Sequence, residues 1–422
     1  MATEHHQTDS NPAFGRTRRT KTSFALTLLV GFLSPLLTLN PAKADAGFER
    51  WKSDFAKTAV QKGIKRSTFR AAFSGVDSID PAVIKSVRYQ PEFLNPLWFY
   101  FDSRVNERTT ANGKKMKQKW SQWLDVIEKR YGVDRHVVLA IWSMETGYGS
   151  ALSRPGARRS VIRSLATLAY RDKKRRKLWR AQLIAAMKIV QDGTLPLKDL
   201  VGSWSGAMGH TQFIPTSYLA YKQDADGDGR SDIWTNIPDA LATAANHLKV
   251  AGWQPGKTWG YEVIIPAGLA KQNRKARTLR EWSRLGVRRA NGTPFPRPDD
   301  RATLRLLGGK GGPVFLMLKN FFVIKKYNNA DKYALAVGHQ ADLLAGGGEF
   351  IVPIPRPFKR LSLEEHVEIQ SLLTRMGLYN GPVSGIIGPK TRSSIGKAQA
   401  KFGMKQDGFA SKKLLDRLRR SG

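Results

Sequence analysis

Apolar residues recur at three- and four-residue spacing through most of this chain. The pattern is clearest in five segments, which read DFAKTAVQKGI, DPAVIKSVRY, MKQKWSQWLDVIEKRYG, DRHVVLAIWSME and RAQLIAAMKIVQDG. This spacing places the apolar side chains on one face of an α-helix, and such a face has to be covered by another element. Glycine and proline residues separate the segments. The sequence therefore predicts a mainly helical domain over residues 45–352.

Two shorter stretches, GYEVIIPAG and GPVFLML, predict strands and hence a small β element within the helical domain. The stretch AGGGEFIVPIPRPFKR contains three glycines and three prolines, which is typical of a linker, and we assign the linker to residues 353–360. Residues 361–422 follow a pattern of helix, loop, helix and short helix. The predicted fold class is mainly α (α+β), with a small three-helix domain at the C-terminus.

The N-terminus has the organisation of an export signal. Four basic residues between positions 16 and 21 precede the apolar run SFALTLLVGFLSPLLTL, and Ala42 and Ala44 form a small-x-small cleavage pattern. We therefore predict a signal peptide over residues 1–44, cleavage before Asp45 and a periplasmic location. The alternative is an uncleaved anchor helix, but Pro35, Pro41 and the shortness of the run disfavour it.

The chain contains no cysteine, which excludes a lipid anchor, disulfides, thiol nucleophiles and cysteine-based zinc sites. Lysine and arginine number 70 against 34 acidic residues, giving a formal net charge of +36. Such a charge attracts polyanions. An exported protein is more consistent with cell-wall polymer or anionic lipid than with nucleic acid, and no helix-turn-helix or finger pattern is present. We therefore expect no nucleic-acid partner.

Glu145 is an isolated acidic residue in the apolar stretch AIWSMETGYGS. A helix is predicted from Arg135, with Asp134 as N-cap, to about Thr146, and Gly147 would end it. Glu145 then emerges on or beside the apolar face, in the last turn. Partial desolvation and the negative end of the helix dipole both favour the protonated acid there. A protonated carboxylic acid can act as a general acid on a glycosidic oxygen; the alternative is a glutamate that points to solvent.

The next informative stretch is GSWSGAMGHTQFIPTSYLAY, in which small residues and glycines form a turn before a helix. Glycines allow a polymer to approach the backbone closely. Ser203 and Gln212 can form hydrogen bonds with sugar hydroxyl or acetamido groups. By itself, this stretch is equally compatible with an ordinary tight turn.

DADGDGRSDIW follows directly and resembles a calcium-binding loop. Asp224, Asp226 and Asp228 occupy its first, third and fifth positions. The twelfth position, which usually carries a bidentate glutamate, holds Thr235, and Asp239 can supply a carboxylate from the next helix. We predict a structural Ca²⁺ or another hard cation at these four aspartates. The alternative is a polar turn that needs no ion.

The motifs IWSMETGYG, SWSGAMGHTQFIPTSY and DADGDGRSDIW, in this order, resemble those of the lytic murein transglycosylase B family. The resemblance covers about residues 48–345 and implies a lysozyme-like catalytic domain that requires no cofactor for its chemistry. It places the family's catalytic glutamate on Glu145. The resemblance also implies five substrate-binding residues, which are Ser203, Gln212, Tyr327, Asn328 and Tyr100. The family's calcium loop falls on Asp224, Asp226, Asp228 and Asp239.

The resemblance explains how one carboxylate could suffice. Ordinary glycosidases use two carboxylates, whereas this family cleaves the MurNAc–GlcNAc bond of peptidoglycan with one and forms 1,6-anhydromuramyl ends. Because the lipidated cysteine of membrane-attached members is absent, the chain resembles a soluble form. Two alternatives stay open: a hydrolytic muramidase with Asp102 or Asp192 as base, and a non-catalytic wall-binding protein.

The C-terminal stretch resembles a type-one peptidoglycan-binding domain. Gly381, Gly385 and Gly388 lie in its central loop, Thr391 begins the second helix, and QDG follows at 406–408. The resemblance implies that this domain binds the glycan strands of peptidoglycan. A generic three-helix module is the alternative.

Overall fold

The computed structural model describes residues 46–87, 96–154, 158–359 and 361–421, so the predicted signal peptide lies outside the described residues. Within these ranges the protein is mainly helical, with 17 helices, which confirms the predicted fold class. None of these helices is both long and apolar enough to cross a membrane.

The helices of the described part are numbered in chain order. The first nine are α1 (Ala46–Gln61), α2 (Arg66–Ala72), α3 (Pro81–Val87), α4 (Leu97–Arg104), α5 (Glu107–Lys119), α6 (Ser121–Tyr131), α7 (Arg135–Thr146), α8 (Val161–Arg171) and α9 (Arg176–Gln191). The other eight are α10 (Pro215–Tyr221), α11 (Ile237–Val250), α12 (Leu279–Arg284), α13 (Lys319–Tyr327), α14 (Asp331–Leu344), α15 (Leu363–Arg375), α16 (Pro389–Lys401) and α17 (Lys412–Arg419).

The strands are short. They are β1 (Arg159–Ser160), β2 (Val201–Gly202), β3 (Gly260–Ile264), β4 (Ala276–Thr278), β5 (Arg288–Arg289), β6 (Arg301–Arg305) and β7 (Val314–Met317). Strands β1 and β2 pair antiparallel, and the other five form one sheet in the order β4-β6-β7-β3-β5.

The chain divides into two compact units. The first comprises the described residues before position 91, Glu145–Val250 and Lys326–Asn329. Its core contains helix α8, in which eight of eleven residues are buried, and helix α9, which packs against α8. The helical periodicity of the sequence predicted helix α9, through the segment RAQLIAAMKIVQDG, whereas helix α8 was not singled out.

The second unit contains the five-stranded sheet, and all its pairings are antiparallel. Residues of β3, β6 and β7 pack with Leu279 and Trp282 of α12 in one apolar cluster. The two strands predicted from the sequence are β3 and β7. Strands β4, β5 and β6 did not stand out, because each contains arginine, β5 consists of two arginines alone, and each is too short to define a period.

The stretch from Phe350 to Arg356, which leads into the predicted linker at residues 353–360, makes specific contacts within the second unit. The Phe350 ring stacks on His339 with 3.9 Å between the centroids. The carboxylate of Glu262 accepts hydrogen bonds from the backbone N–H groups of Ile351 and Val352. The Arg356 guanidinium donates to both oxygens of Asp102, at 3.1 and 2.6 Å. These contacts restrict the segment far more than its glycine and proline content suggests.

The C-terminal domain is helical, as predicted, and its helices α15, α16 and α17 surround an apolar core that includes Ile369, Ile395 and Leu414. Buried Gln370 links the central loop to α15: its amide group donates to the Ile386 carbonyl at 2.9 Å and its oxygen accepts from Gly385 N. The exact domain boundaries stay predictions.

Candidate active site

Helix α7 positions Glu145. The helix runs from Arg135 to Thr146, as the sequence predicted. At its start, the Asp134 carboxylate accepts a hydrogen bond from His136 N at 2.7 Å. At its end, Gly147 adopts a left-handed backbone conformation with φ of 56°. Local capping therefore determines both ends of the helix, and Glu145 occupies its last turn, partly exposed.

Glu145 lines a cleft of about 280 Å³ in the first unit, together with Ser203 and Gln212. The other lining residues are Ser86, Thr146, Ala151, Leu152, Arg159 and Trp204. The structure thus brings together three residues that the sequence motifs singled out. Among the described residues that line this cleft, Glu145 is the only carboxylic acid.

Thr146 ties the end of helix α7 to the loop that carries Gln212. Its buried hydroxyl donates a hydrogen bond to the His210 carbonyl at 2.7 Å and accepts one from Gly149 N at 3.1 Å. Thr146, which directly follows Glu145, is therefore held by two hydrogen bonds of its hydroxyl group. This connection restrains the position of Glu145 against the loop.

Ser203 lies in a tight turn that its own side chain stabilises. Its Oγ accepts hydrogen bonds from Ala207 N at 3.1 Å and Ser205 N at 3.3 Å, and its backbone N–H donates to the Ala207 carbonyl at 2.7 Å. The turn requires glycine at position 202, because a Cβ there would lie 2.3 Å from the Ala207 oxygen. Ser203 is thus held rigidly at the cleft.

Gln212 has a left-handed backbone conformation, with φ of 51°. Its side-chain amide donates a hydrogen bond to the Gly209 carbonyl at 2.8 Å. Gly209 itself has φ of 67°, and a Cβ there would lie 2.3 Å from the Ile233 carbonyl oxygen. Non-glycine residues with positive φ are uncommon and concentrate at functional sites. Helix α10 begins only at Pro215, so Gln212 belongs to the loop.

Tyr327 and Asn328 are both buried in the first unit. The Tyr327 hydroxyl donates a hydrogen bond to the Thr211 carbonyl at 2.5 Å, directly before Gln212 in the chain. Burial, with a smaller contribution from the nearby Glu145, raises the pKa of Tyr327 well above its ordinary value. The hydroxyl therefore stays protonated and serves as a donor at physiological pH.

The remaining residues from the sequence analysis lie elsewhere. Tyr100 is buried in helix α4 of the second unit, so its contact with substrate stays a prediction. Asp102, one of two alternative bases, is ion-paired with Arg356. Asp192, the other, is exposed directly after helix α9 and does not line the cleft.

Three of the four predicted metal ligands come together. Carboxylate oxygens of Asp224, Asp226 and Asp239 lie within 4.8 Å of one another. Asp239 is completely buried, and burial, with smaller contributions from the charges of Asp226 and Asp224, raises its pKa to about 6. Oxygen ligands and concentrated negative charge suit Ca²⁺. Asp228 is not part of this group, and its carboxylate accepts a hydrogen bond from Arg230 N at 2.7 Å.

His247 is a feature that the sequence analysis missed. Its ring stacks on Tyr221 at 4.4 Å between centroids and lies 5.0 Å from the Tyr327 ring. Burial, together with the charge of Lys326, lowers the pKa of His247 to about 4. No signal in the sequence indicates this residue, because His247 is a single histidine in the apolar pattern of helix α11 and belongs to no motif.

Trp204 is a second residue that the sequence analysis did not select. It lines the cleft and lies between Ser203 and Ser205 in the motif SWSGAMGHTQFIPTSY, so the motif could have indicated it.

Comparison with known protein families identifies the family of the domain that contains this cleft. The model of the transglycosylase SLT domain matches residues 47–342, which is more than half of the chain. The chain belongs to the transglycosylase SLT domain family. A second model, the putative peptidoglycan-binding domain, matches residues 362–418 and coincides with helices α15 to α17. This family member thus combines an SLT domain with a peptidoglycan-binding domain.

Individual relatives agree with this assignment. The SLT-family chain is 28% identical over 226 residues to the membrane-bound lytic murein transglycosylase B of Escherichia coli strain K12; the match spans 52% of this chain and 60% of that protein. Its fold resembles that of SltB3 from Pseudomonas aeruginosa, solved in complex with NAG-anhNAM-pentapeptide, with a TM-score of 0.69 and 44% identity over 88% of this chain and 99% of that one.

A more distant relative is the Escherichia coli lytic transglycosylase Slt35, solved in complex with calcium. It has a TM-score of 0.60 and 23% identity, and the match covers 70% of this chain and 92% of that chain. At this level of identity the comparison establishes a shared fold. The lysozyme-like helical architecture expected from the motifs is thereby confirmed.

Proposed function

We propose that this protein is a lytic transglycosylase that cleaves the MurNAc–GlcNAc bond of peptidoglycan and leaves 1,6-anhydromuramyl ends. The observation that carries the proposal is the cleft with Glu145, Ser203 and Gln212, in which Glu145 is the only carboxylic acid among the described lining residues. A hydrolase with two carboxylates would need a second acid across the cleft. A single acid is compatible with a reaction in which the substrate provides the nucleophile.

In the first step Glu145 donates its proton to the glycosidic oxygen, and the bond between that oxygen and C1 of the muramyl sugar breaks. The N-acetyl group of the same sugar stabilises the cationic centre at C1, as in substrate-assisted glycosidases. In the second step the Glu145 carboxylate accepts the proton of the C6 hydroxyl, and the C6 oxygen bonds to C1. No water is consumed, and Glu145 returns to its protonated form.

The neighbouring residues bind the sugar in a fixed orientation. Ser203 and Gln212 are held by backbone hydrogen bonds before substrate arrives, so little conformational entropy is lost when they bind sugar hydroxyl or acetamido groups. Tyr327 supports the same loop through Thr211. Asn328 and Tyr100 complete the proposed set of substrate-binding residues.

Asp224, Asp226 and Asp239 would hold a structural Ca²⁺. The fit rests on three carboxylates whose oxygens lie within 4.8 Å of one another. A bound cation would offset both the burial of Asp239, which is the main cause of its raised pKa, and the smaller repulsion from Asp226 and Asp224. The ion would fasten the acidic loop to helix α11 and would take no part in bond cleavage. Asp228 is left out of the proposed ligand set.

The C-terminal domain would bind the wall polymer and so concentrate the catalytic domain on its substrate. The excess of basic residues supports the same interaction with an anionic wall. We place the mature protein in the periplasm, with export by the signal peptide predicted for residues 1–44.

The decisive experiment is digestion of purified peptidoglycan by the mature protein, by Glu145→Gln and by Glu107→Gln, followed by mass spectrometry of the soluble products. Glu107 is an exposed glutamate at the start of helix α5 and serves as the matched control. We expect anhydro products from the wild type and from Glu107→Gln but none from Glu145→Gln. Products heavier by one water would identify a muramidase, and wall binding without any release would identify a binding protein.

A further inference from the structure

Helix α7 is buried where it approaches Glu145. Trp142, Ser143 and Met144, the three residues before Glu145, are all buried. The carbonyl groups of the last four residues of a helix have no N–H partner within it, so each needs a partner from elsewhere. A buried carbonyl cannot obtain that partner from bulk water. The end of this helix therefore depends on donors from another part of the chain.

Arg104 provides a donor for Met144. Its guanidinium Nη1 donates a hydrogen bond to the Met144 carbonyl at 2.6 Å, across 40 positions of the chain, and both residues belong to the second unit. Glu145 follows Met144 directly in helix α7. The Met144 carbonyl and the Glu145 N–H form one planar peptide group. The guanidinium thus holds the peptide group from which Glu145 begins.

Helix α4, which ends at Arg104, is itself held by other side chains. The Phe101 ring packs against that of Phe350, with 5.8 Å between the centroids. Asp102 is ion-paired with Arg356 at 2.6 Å. The guanidinium therefore projects from an element whose own position is restrained, which is the arrangement needed to orient another group.

Arg104 also contacts Tyr100, one turn earlier in helix α4. The guanidinium carbon lies 5.8 Å from the centroid of the Tyr100 ring, within the range of cation–π interactions. Tyr100 is one of the residues proposed to bind substrate. An arginine suits both contacts, because its planar group has several N–H donors and a flat face that stacks on aromatic rings.

The charge of Arg104 also suits the proposed reaction. The last turn of helix α7 carries the negative end of the helix dipole, where a cation is favourable. When Glu145 gives up its proton in the first step, a further negative charge develops in this turn. A positive charge that is already fixed at the end of the helix offsets the developing charge without reorganisation of solvent.

We propose that Arg104 is a positioning residue for Glu145, an inference that rests on the proposed function. Its guanidinium orients the peptide group between Met144 and Glu145 and places a positive charge at the end of the helix. The sequence analysis did not select Arg104, which lies outside the three ordered motifs. Because Arg104 acts through Glu145, its loss should slow the reaction rather than weaken the binding of the glycan.

The first test measures kcat and KM separately on soluble, uncrosslinked glycan strands. The variants are Arg104→Met, which keeps an aliphatic side chain over Tyr100 but has no donor or charge, Arg104→Lys, and the control Arg108→Met at an exposed arginine of helix α5. We expect Arg104→Met to lower kcat about ten- to hundredfold, the range for a hydrogen bond from a charged group, with KM within about twofold of the wild type. Arg104→Lys should keep part of kcat, and Arg108→Met should keep all of it.

A kcat of Arg104→Met equal to that of the wild type would overturn the proposal, as would a loss confined to KM. A kcat that only follows the folded fraction of the variant, and recovers fully on cooling, would show a purely structural role and would also overturn it.

The second test is chemical rescue. Arg104→Ala opens a space that a free guanidinium ion can enter, so millimolar guanidinium chloride should raise kcat of this variant severalfold, and sodium chloride at the same ionic strength should not. Arg104→Met fills the space with its own side chain, and Glu145→Gln lacks the proton donor, so neither should respond. An equal response of Arg104→Ala to the two salts, or equal rescue of Arg104→Met, would contradict the proposal.

The third test does not depend on activity. Hydrogen exchange of the wild type and Arg104→Met, followed by mass spectrometry, reports the opening of helix α7. We expect about tenfold faster exchange over residues 143–147 in the variant and no change at the start of the helix, because the donor to the Met144 carbonyl is lost. Unchanged exchange in an enzyme that releases products would overturn this inference alone. A wild type that releases no product would show instead that the proposed function has failed.

Discussion

Two acidic regions of the first unit differ in how their charges are arranged. Glu145 is the only acid among the described lining residues of its cleft, which include the neutral polar Ser203 and Gln212 and the cation Arg159. Asp239 instead lies with two other carboxylates at the acidic loop, and burial there raises its pKa to about 6. A cleft with a single carboxylic acid suits a group that gives and regains a proton, whereas three clustered carboxylates suit a bound cation. We therefore assign chemistry to the first region and structural support to the second.

The largest expected effect is the loss of catalytic activity when Glu145 is replaced, which distinguishes the cleft from the acidic loop. Glu145→Gln should lower kcat by at least 10²- to 10⁴-fold, the usual contribution of a general acid–base residue, because the amide can neither give nor accept the proton. The melting temperature should stay within a degree or two of the wild type, since Glu145 is partly exposed. Release of anhydro products and thermal unfolding of the same preparation provide the measurement. A variant that is inactive because it is unfolded would not support the assignment.

A pH titration of stability tests the aromatic group beside the cleft. The pKa of His247 is about 4 in the folded protein, below the value of about 6.5 for an unfolded chain. At this group the unfolded state binds more protons between these values, so His247 by itself should lower folding stability as the pH drops from about 6.5 to 4, by up to about 3 kcal/mol. Burial raises the pKa values of Asp239 and Asp342 to about 6, which changes stability in the opposite direction over this range, so the His247 contribution is the difference between the wild type and a variant without this histidine. Denaturant unfolding across this range measures the slope.

The matched variant for this titration is His247→Phe, which keeps an aromatic ring against Tyr221 and Tyr327. Its stability relative to the wild type should rise by up to about 3 kcal/mol as the pH drops from about 6.5 to 4, because the titrating group has gone. An unchanged slope in this variant would assign the pH dependence to other groups.

Added Ca²⁺ should raise the melting temperature through the acidic loop, and the reaction in the cleft should not require the ion. Asp239→Asn should destabilise the protein by about 1–3 kcal/mol, because Asp239 is buried and accepts hydrogen bonds from Ala225 N and Asp232 N. The rise in melting temperature on adding Ca²⁺ should disappear. Asp228→Asn, at an exposed carboxylate outside the group, should keep that rise. If Asp228→Asn abolishes the calcium response and Asp239→Asn does not, the ligand assignment is wrong.

The smallest expected effect on activity concerns the hydrogen bond from Tyr327 to the loop that contains Gln212. Tyr327→Phe removes the hydrogen bond to the Thr211 carbonyl and should cost about 1 kcal/mol of stability and roughly a fivefold loss in kcat/KM, because Gln212 follows Thr211 directly. Tyr221→Phe, in a ring that also packs on His247, is the control. Unfolding and digestion assays on both variants would show whether the loss is specific to Tyr327.

The helix that carries Glu145 illustrates what could be predicted locally. Its start at Arg135 and its end at Thr146 follow from a capping aspartate, an apolar face and a glycine, all within about fifteen residues. Strands β4 to β6 escaped prediction because their partners are distant in the sequence and burial, rather than composition, makes them strands. Likewise, nothing in the glycine- and proline-rich segment indicated that Arg356 would pair with Asp102.

The sequence by itself determined the mainly helical class and the bounds of helix α7, because short-range periodicity and caps encode these features. The choice of Glu145, Ser203 and Gln212 came from the resemblance of three ordered motifs to a known family, and their roles stay predictions. Only the tertiary structure decided which carboxylates share a site: Asp239 joins Asp224 and Asp226, while Asp228 turns to a backbone amide. It also placed His247 on the rings of Tyr221 and Tyr327. Such contacts join residues far apart in the chain, and their energies depend on burial and neighbouring charge, which no local pattern records.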